Sequence, residues 1–115
     1  MKKDLKDRTK QFAHGCVKLT EFISNNYLGN HIKNQLIRCS TSVAANYRAT
    51  CVAQSKASFI AKISIVVEEV DESAFWLEFM LDENFVAKEK IEPLLIESKE
   101  LTAIFIASRK TASKK

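Results

Sequence analysis

The chain predicts an all-α fold, and three observations carry that expectation. Two Gly and one Pro in 115 residues are too few for a turn-rich β-sandwich or a Gly-rich phosphate-binding fold. A composition 46% hydrophobic and 28% charged suits helices that bury one face and solvate the other. Apolar residues also recur at steps of three, four and seven along four consecutive segments, the period of a helix with one buried stripe. At this length a single domain, residues 1–115, buries about two-thirds of the surface its unfolded form would expose. No disulfide or metal is required for it to fold.

The first segment runs from about Asp4 to Ser24, with Leu5, Phe12, Cys16, Leu19 and Ile23 on one face. The run Asn25 to Asn30 then supplies turn formers. From about His31 to Cys51, Ile32, Leu36, Cys39, Val43 and Tyr47 form the stripe of the second helix. Ser55 is placed to cap the third, which aligns Phe59, Ile63, Val66, Val70, Leu77 and Leu81 over about 28 residues. A break from Asp82 to Ala87 precedes the fourth helix, where Pro93 suits a first-turn position and Leu94, Leu101, Ile104 and Phe105 face inward. The tail 110–115 is expected to fray. Short connections force sequential helices antiparallel. The simplest arrangement is an up-down-up-down four-helix bundle with crossing angles of about 20°.

Charge is distributed unevenly. Residues 1–62 hold eleven Lys or Arg against three acids, and residues 63–115 hold seven against eleven, so +8 sits beside −4. No acid occurs between Glu21 and Glu68, and the stretch from Glu68 to Glu83 carries seven acids with no Lys or Arg. Such a split points to binding or assembly rather than to chemistry. Candidate nucleic-acid contacts are Lys10, Lys18, Lys33, Arg48, Lys56 and Lys62, reinforced by Lys2, Lys3, Lys6 and Arg8 at one terminus and Lys114 and Lys115 at the other. Cations of this kind gain affinity by releasing counterions from phosphates. No aromatic recognition motif or helix-turn-helix pattern accompanies them, so contact is expected with backbone or shape. The competing explanation is a solvated face with no partner.

A bundle needs one buried stripe per helix, and the third helix has more than that. Ile65, Glu69, Glu72, Trp76 and Phe79 share a second flank, with Phe75 further round, an apolar area of the kind monomers avoid exposing. The second helix carries Arg38, Ser42, Ala45 and Ala49 off its core stripe, a strip of small side chains that lets another helix approach. These two flanks are the expected interface of a homo-oligomer; the alternative is that the fourth helix or its loop covers Trp76. Arg38 comes level with Glu68 and Glu69 across the hairpin, so an ion pair with Glu69 or Glu72 is expected, specifying arrangement more than adding stability. The alternative role for Arg38 is a phosphate contact. Gln35 and Asn46 are read as amides satisfied by each other or by a backbone carbonyl.

Other chemistry finds little support. A di-iron bundle needs Glu-x-x-His on two helices, and neither His14 nor His31 follows a Glu by three residues. His14 and Cys16, two apart, point in different directions on a helix and lack further ligands for zinc or an orienting group for nucleophilic catalysis. No Gly-rich loop offers a phosphate cradle. No enzyme activity, cofactor, metal or small-molecule substrate is therefore expected. Cys16, Cys39 and Cys51 are odd in number, lack C-x-x-C pairing and fall inside helical patterns, as for reduced thiols in a cytoplasmic core. No stretch has the length and apolarity of a signal peptide or membrane span.

Residues 35–49 (QLIRCSTSVAANYRA), followed by 55–63 (SKASFIAKI), resemble the signature of the four-helix bundle proteins known as the 23S rRNA intervening-sequence protein family. Residues 68–77 (EEVDESAFWL) and 100–105 (ELTAIF) resemble its third and fourth helices in the same order, so the similarity spans nearly the whole chain. The resemblance implies a closed antiparallel bundle, a ring of five subunits as in related structures, and a bacterial protein with no settled activity. A similar bundle is the accessory protein of reverse transcriptases in diversity-generating retroelements, where a basic pentameric barrel meets nucleic acid and the enzyme. This chain departs from many relatives in having Arg48, Ala49 and Thr50 where they carry an acid shortly after the Asn matching Asn46, which implies a more basic surface at that helix end. Two functions follow: an oligomeric scaffold that binds nucleic acid, or a protein-interaction module such as an accessory subunit that does not touch nucleic acid itself.

Overall fold

The computed structural model describes residues 4–114. Asp4 opens the first helix, α1 (Leu5–Leu19), in extended conformation with its carboxylate accepting from the Lys6 amide. The helix stops five residues earlier than the apolar stripe predicts. Thr20 donates its hydroxyl to the Val17 carbonyl, the chain tightens into a 3-10 turn over Thr20–Phe22, and Ile23 enters the core from extended backbone. The stripe thus continues after the helix has ended.

The asparagine-rich segment expected to be a turn is mostly helix. Asn26 is extended and accepts from the Gly29 amide at 2.7 Å, which makes it an N-cap. Residues 27–30 therefore form the first turn of α2 (Tyr27–Cys51). Gly29 is required here: a Cβ on it would lie 2.1 Å from the Ser24 carbonyl oxygen.

Ser55 caps α3 (Lys56–Asp82) as its sequence predicts, accepting from the Ser58 amide at 3.0 Å. The break that follows turns at Asn84, whose φ of 55° lies in the left-handed region, where asparagine is one of the more tolerant residues. α4 (Lys88–Ser113) begins directly after the expected break, but Pro93 is its sixth residue rather than part of its first turn. Ile91, ahead of the proline, is already fully enclosed. The tail expected to fray from Lys110 instead stays helical to Ser113, whose hydroxyl donates to the Arg109 carbonyl at 2.9 Å. Lys115 and the N-terminal Lys2 and Lys3 lie outside the described residues.

The four helices form the expected up-down-up-down bundle. α1 packs on α2 and less extensively on α4, α2 on α3, and α3 on α4. Contacts across it set the levels. Arg38 of α2 meets Glu69 and Glu72 of α3, Lys99 of α4 meets Glu78 of α3, and Lys56 at the start of α3 donates to the Lys114 carbonyl at the end of α4. Most of the expected stripes are enclosed: Phe12, Cys16, Leu19, Ile32, Leu36, Cys39, Val43, Ile63, Val66, Val70, Leu77, Leu101 and Phe105. Leu5, Tyr47, Phe59, Leu81, Leu94 and Ile104 pack at its edge, half-buried. Met80 and the hydroxyl residues Thr9, Ser40, Ser73 and Ser98 complete the interior. Three of these hydroxyls are accommodated because a helix offers its own carbonyls as acceptors: Thr9 to Leu5, Ser73 to Glu69 and Ser98 to Leu95, whereas the buried Ser40 hydroxyl has no hydrogen-bond partner among the described residues. Among the described residues, no helix is long and apolar enough to cross a membrane.

Candidate nucleic-acid interface

Antiparallel packing converts a split along the sequence into a split along the molecule. α2 contains no acid, α3 has none before Glu68, and α4 has none after Glu100. The end of α2, the start of α3 and the end of α4 are neighbours, so one end of the bundle gathers Arg48, Lys56, Lys62, Arg109, Lys110 and Lys114. Acids border this end at Asp4 and Asp7 at the start of α1 and at Glu68, one turn beyond the Ser64 hydroxyl to which the half-buried Arg109 donates at 3.3 Å. Asp4 and Asp7 share an open groove of about 540 Å³ with Lys10, Thr41, Ala45 and Arg48. The opposite end carries Glu21, Glu78, Asp82, Glu83, Glu89 and Glu92 against Lys18, Lys33, Lys88 and Lys90.

The six cations singled out from the sequence therefore do not form one patch. Arg48, Lys56 and Lys62 fall on the cationic end. Lys10 sits part-way along the α1–α2 groove, within reach of Arg48. Lys18 and Lys33 lie at the acidic end, where Lys33 donates to the Asn25 side chain. Of the reinforcing residues, Arg8 is committed to Glu97 at 2.7 and 2.9 Å and to Glu100 at 3.1 Å. Lys110 was missed because the tail 110–115 was expected to fray, and Arg109, just before it, was not weighed. The acid-free run after Glu100 was the signal that could have placed them beside Lys56.

On the α2–α3 flank, Arg38 makes the expected ion pairs with both Glu69, at 3.4 Å, and Glu72, and its Nε also donates to Gln35 at 3.3 Å. The guanidinium is half-exposed and already serves three acceptors, so its geometry is that of a structural clamp. Asn46 donates to the Ser42 carbonyl at 2.9 Å and to its hydroxyl, while Gln35 is taken by Arg38 rather than by another amide. Trp76 is half-buried. Its ring meets His31 of α2 edge-on at 5.6 Å, Phe75 at 4.9 Å and Phe79 at 6.0 Å. Ile65 and Phe75 stay exposed, joined by Ile37 of α2. Ser42 and Ala49 are half-buried and Ala45 is exposed.

The cysteines are free. Burial pushes the Cys16 thiol up from 9.0 to about 12, with the neighbouring Cys39 adding to the rise, and burial likewise raises Cys39, whose sulfur accepts from Ser73 at 3.2 Å. Both are neutral thiols in the core. Cys51 is exposed at the end of α2. Beside it the Tyr47 hydroxyl is raised to about 12, chiefly by burial and then by its interaction with that thiol. Among the described residues, no group of three or more His, Cys, Asp or Glu is placed to hold a metal ion.

No curated protein matches the chain. A solved crystal structure does, a protein with unknown function from the S23 ribosomal protein family of Bacteroides thetaiotaomicron. It is 31% identical, the match covers 93% of this chain and 99% of that one, and the TM-score is 0.84. The family model described as 23S rRNA-intervening sequence protein matches residues 2–107. With four antiparallel helices, the four quoted sequence blocks and a match over nearly its entire length, the chain belongs to the 23S rRNA-intervening sequence protein family.

Proposed function

We propose that this protein is a non-enzymatic helical-bundle scaffold that associates with copies of itself and binds nucleic acid through the cationic end of each bundle. The observation that carries this reading is the convergence of Arg48, Lys56, Lys62, Arg109, Lys110 and Lys114 from three helix ends that contribute no acid of their own, with Asp4 and Asp7 of α1 beside Arg48. Cations gathered on one surface gain affinity by counterion release, and repetition by symmetry turns a weak patch into avidity. Self-association is supported by Ile37, Ile65 and Phe75, which lie exposed beside Trp76 and Phe79. The resemblance points to five subunits. The family's name makes structured RNA the first ligand to try, and the free thiols accord with a cytoplasmic setting.

Binding of structured RNA, followed while salt is raised, tests the proposal. Affinity should fall with a log–log slope of about −0.7 to −0.9 per phosphate neutralised. The pair Arg48→Glu and Lys56→Glu should abolish retention, while Lys18→Glu and Lys33→Glu at the acidic end should leave it intact. No binding at low salt, or binding indifferent to salt, would show the proposal to be wrong. The other reading is an interaction module without direct nucleic-acid contact. The exposed apolar α2–α3 flank favours it, and it predicts that charge reversal at Arg48 and Lys56 changes nothing.

A further inference from the structure

We infer that the ligand of the cationic end is a duplex gripped by its phosphate backbone, not a single strand held by its bases; this rests on reading that end as a nucleic-acid surface. Proteins that hold single strands interleave cations with open aromatic faces, so that bases stack while the backbone is neutralised. This fold separates the two.

Among the described Phe, Tyr and Trp side chains, those that stand exposed are Phe22, Tyr27 and Phe75, at 55%, 94% and 51%. Phe22 and Tyr27 lie where α1 ends and α2 begins, at the acidic end, and one face of Phe22 is occupied by the Lys90 ammonium 4.1 Å from the ring centre. Tyr27 is 21 residues from Arg48 on the same helix, about 31 Å along its axis. Phe75 borders a groove with Asp71 and Glu78, which repel a phosphate chain. At the cationic end the rings are largely engaged elsewhere: Tyr47 packs on Phe105 with centroids 5.2 Å apart, Phe105 is fully enclosed, and Phe59 is half-buried, packing against the core while its edge lines a shallow apolar groove with Ile104, Ala107 and Thr111.

A strand lying on the cations therefore meets only the half-buried rings of Tyr47 and Phe59, and a base reaching a fully exposed ring leaves the cations behind. Charge density alone decides the preference. A duplex presents one phosphate per about 1.7 Å of axis, twice what one of its strands presents, and releases more counterions per contact. Its paired bases need no aromatic partner. With Arg109 half-buried and donating to Ser64 at 3.3 Å, at most the remaining five cations are open, and the salt slope on a duplex should not exceed about −5 per bundle.

The test compares an RNA duplex of about 20 base pairs with an unstructured RNA strand of equal phosphate number, each fluorescently labelled and titrated with the full chain at low salt. The duplex should bind about tenfold tighter or more, and Tyr27→Ala and Phe75→Ala should leave the single-strand affinity unchanged. A single strand that binds as tightly as the duplex, or that loses affinity on either substitution, overturns this inference while nucleic-acid binding itself stands. If neither RNA binds, the broader reading falls and takes this one with it.

Discussion

The buried thiols show how one residue's surroundings decide its chemistry. Cys16 occupies a stripe position next to Cys39 and away from water, where the neutral form is favoured because a thiolate would be desolvated. The sign of the pH dependence follows. In the unfolded chain the thiol loses its proton near 9.0, whereas in the fold it holds it to about 12. The associated stability is complete below pH 9 and is lost as pH rises through that window, up to about 4 kcal/mol at the limit. Urea midpoints followed from pH 8 to 12 should fall more steeply for the native chain than for Cys16→Ala, and in the native protein near pH 8 only the exposed Cys51 should react promptly with a thiol reagent. Helical register places Cys16 and Cys39 in the core, as expected for all three cysteines; Cys51, the last residue of α2, faces water instead.

At the scale of an element, the ends of helices were harder to read than their faces. Asn and Gly are turn formers in isolation, yet Asn26 and Gly29 sit three apart, the spacing of a cap and the amide it satisfies. Here a local hydrogen bond outweighed average propensity. The cost of disturbing it can be stated. Gly29→Ala would drive a Cβ into the Ser24 carbonyl at 2.1 Å, and backbone cannot swing aside as a side chain can, so a loss of about 2–3 kcal/mol is expected. At Gly15 the atom met is Leu94 Cδ2, the movable end of a half-buried side chain. Gly15→Ala should stay within about 1 kcal/mol, as the gain in helix propensity offsets the shift of Leu94. Chemical denaturation of the two variants checks the contrast; equal losses would show that the close approach at Gly29 is not what that glycine serves. Pro93 illustrates the same difficulty, since α4 starts at Lys88 and already encloses Ile91 before the proline is reached.

For the molecule as a whole, the packing order of the helices turns a charge asymmetry into a polarity along a body 49 Å in its longest extent. The α2–α3 flank is the other whole-molecule feature. It holds the Arg38 clamp, a half-covered Trp76 and the exposed Ile37, Ile65 and Phe75. Light scattering should return a mass several times 13.0 kDa, and Phe75→Glu with Ile65→Glu should reduce it to that of one chain, because two carboxylates cannot be desolvated at an apolar contact. A native protein already at 13.0 kDa would remove the scaffold from consideration.

Hydrophobic spacing was enough to determine the helix count, the buried faces, the antiparallel order and the pairing of Arg38 with Glu69 and Glu72, because each depends on a period of 3.6 residues and on short connections. The block pattern was likewise enough to identify the family. Only the tertiary structure decided which cations share a surface, since Lys56 and Lys110 are distant in sequence yet belong to the same end, while Lys10 and Lys18 share a helix but not a level. It also decided that the open aromatic rings lie away from that end. Periodicity is local and can be read one helix at a time; a surface is assembled from several helices at once, and its composition depends on the level at which each starts and stops.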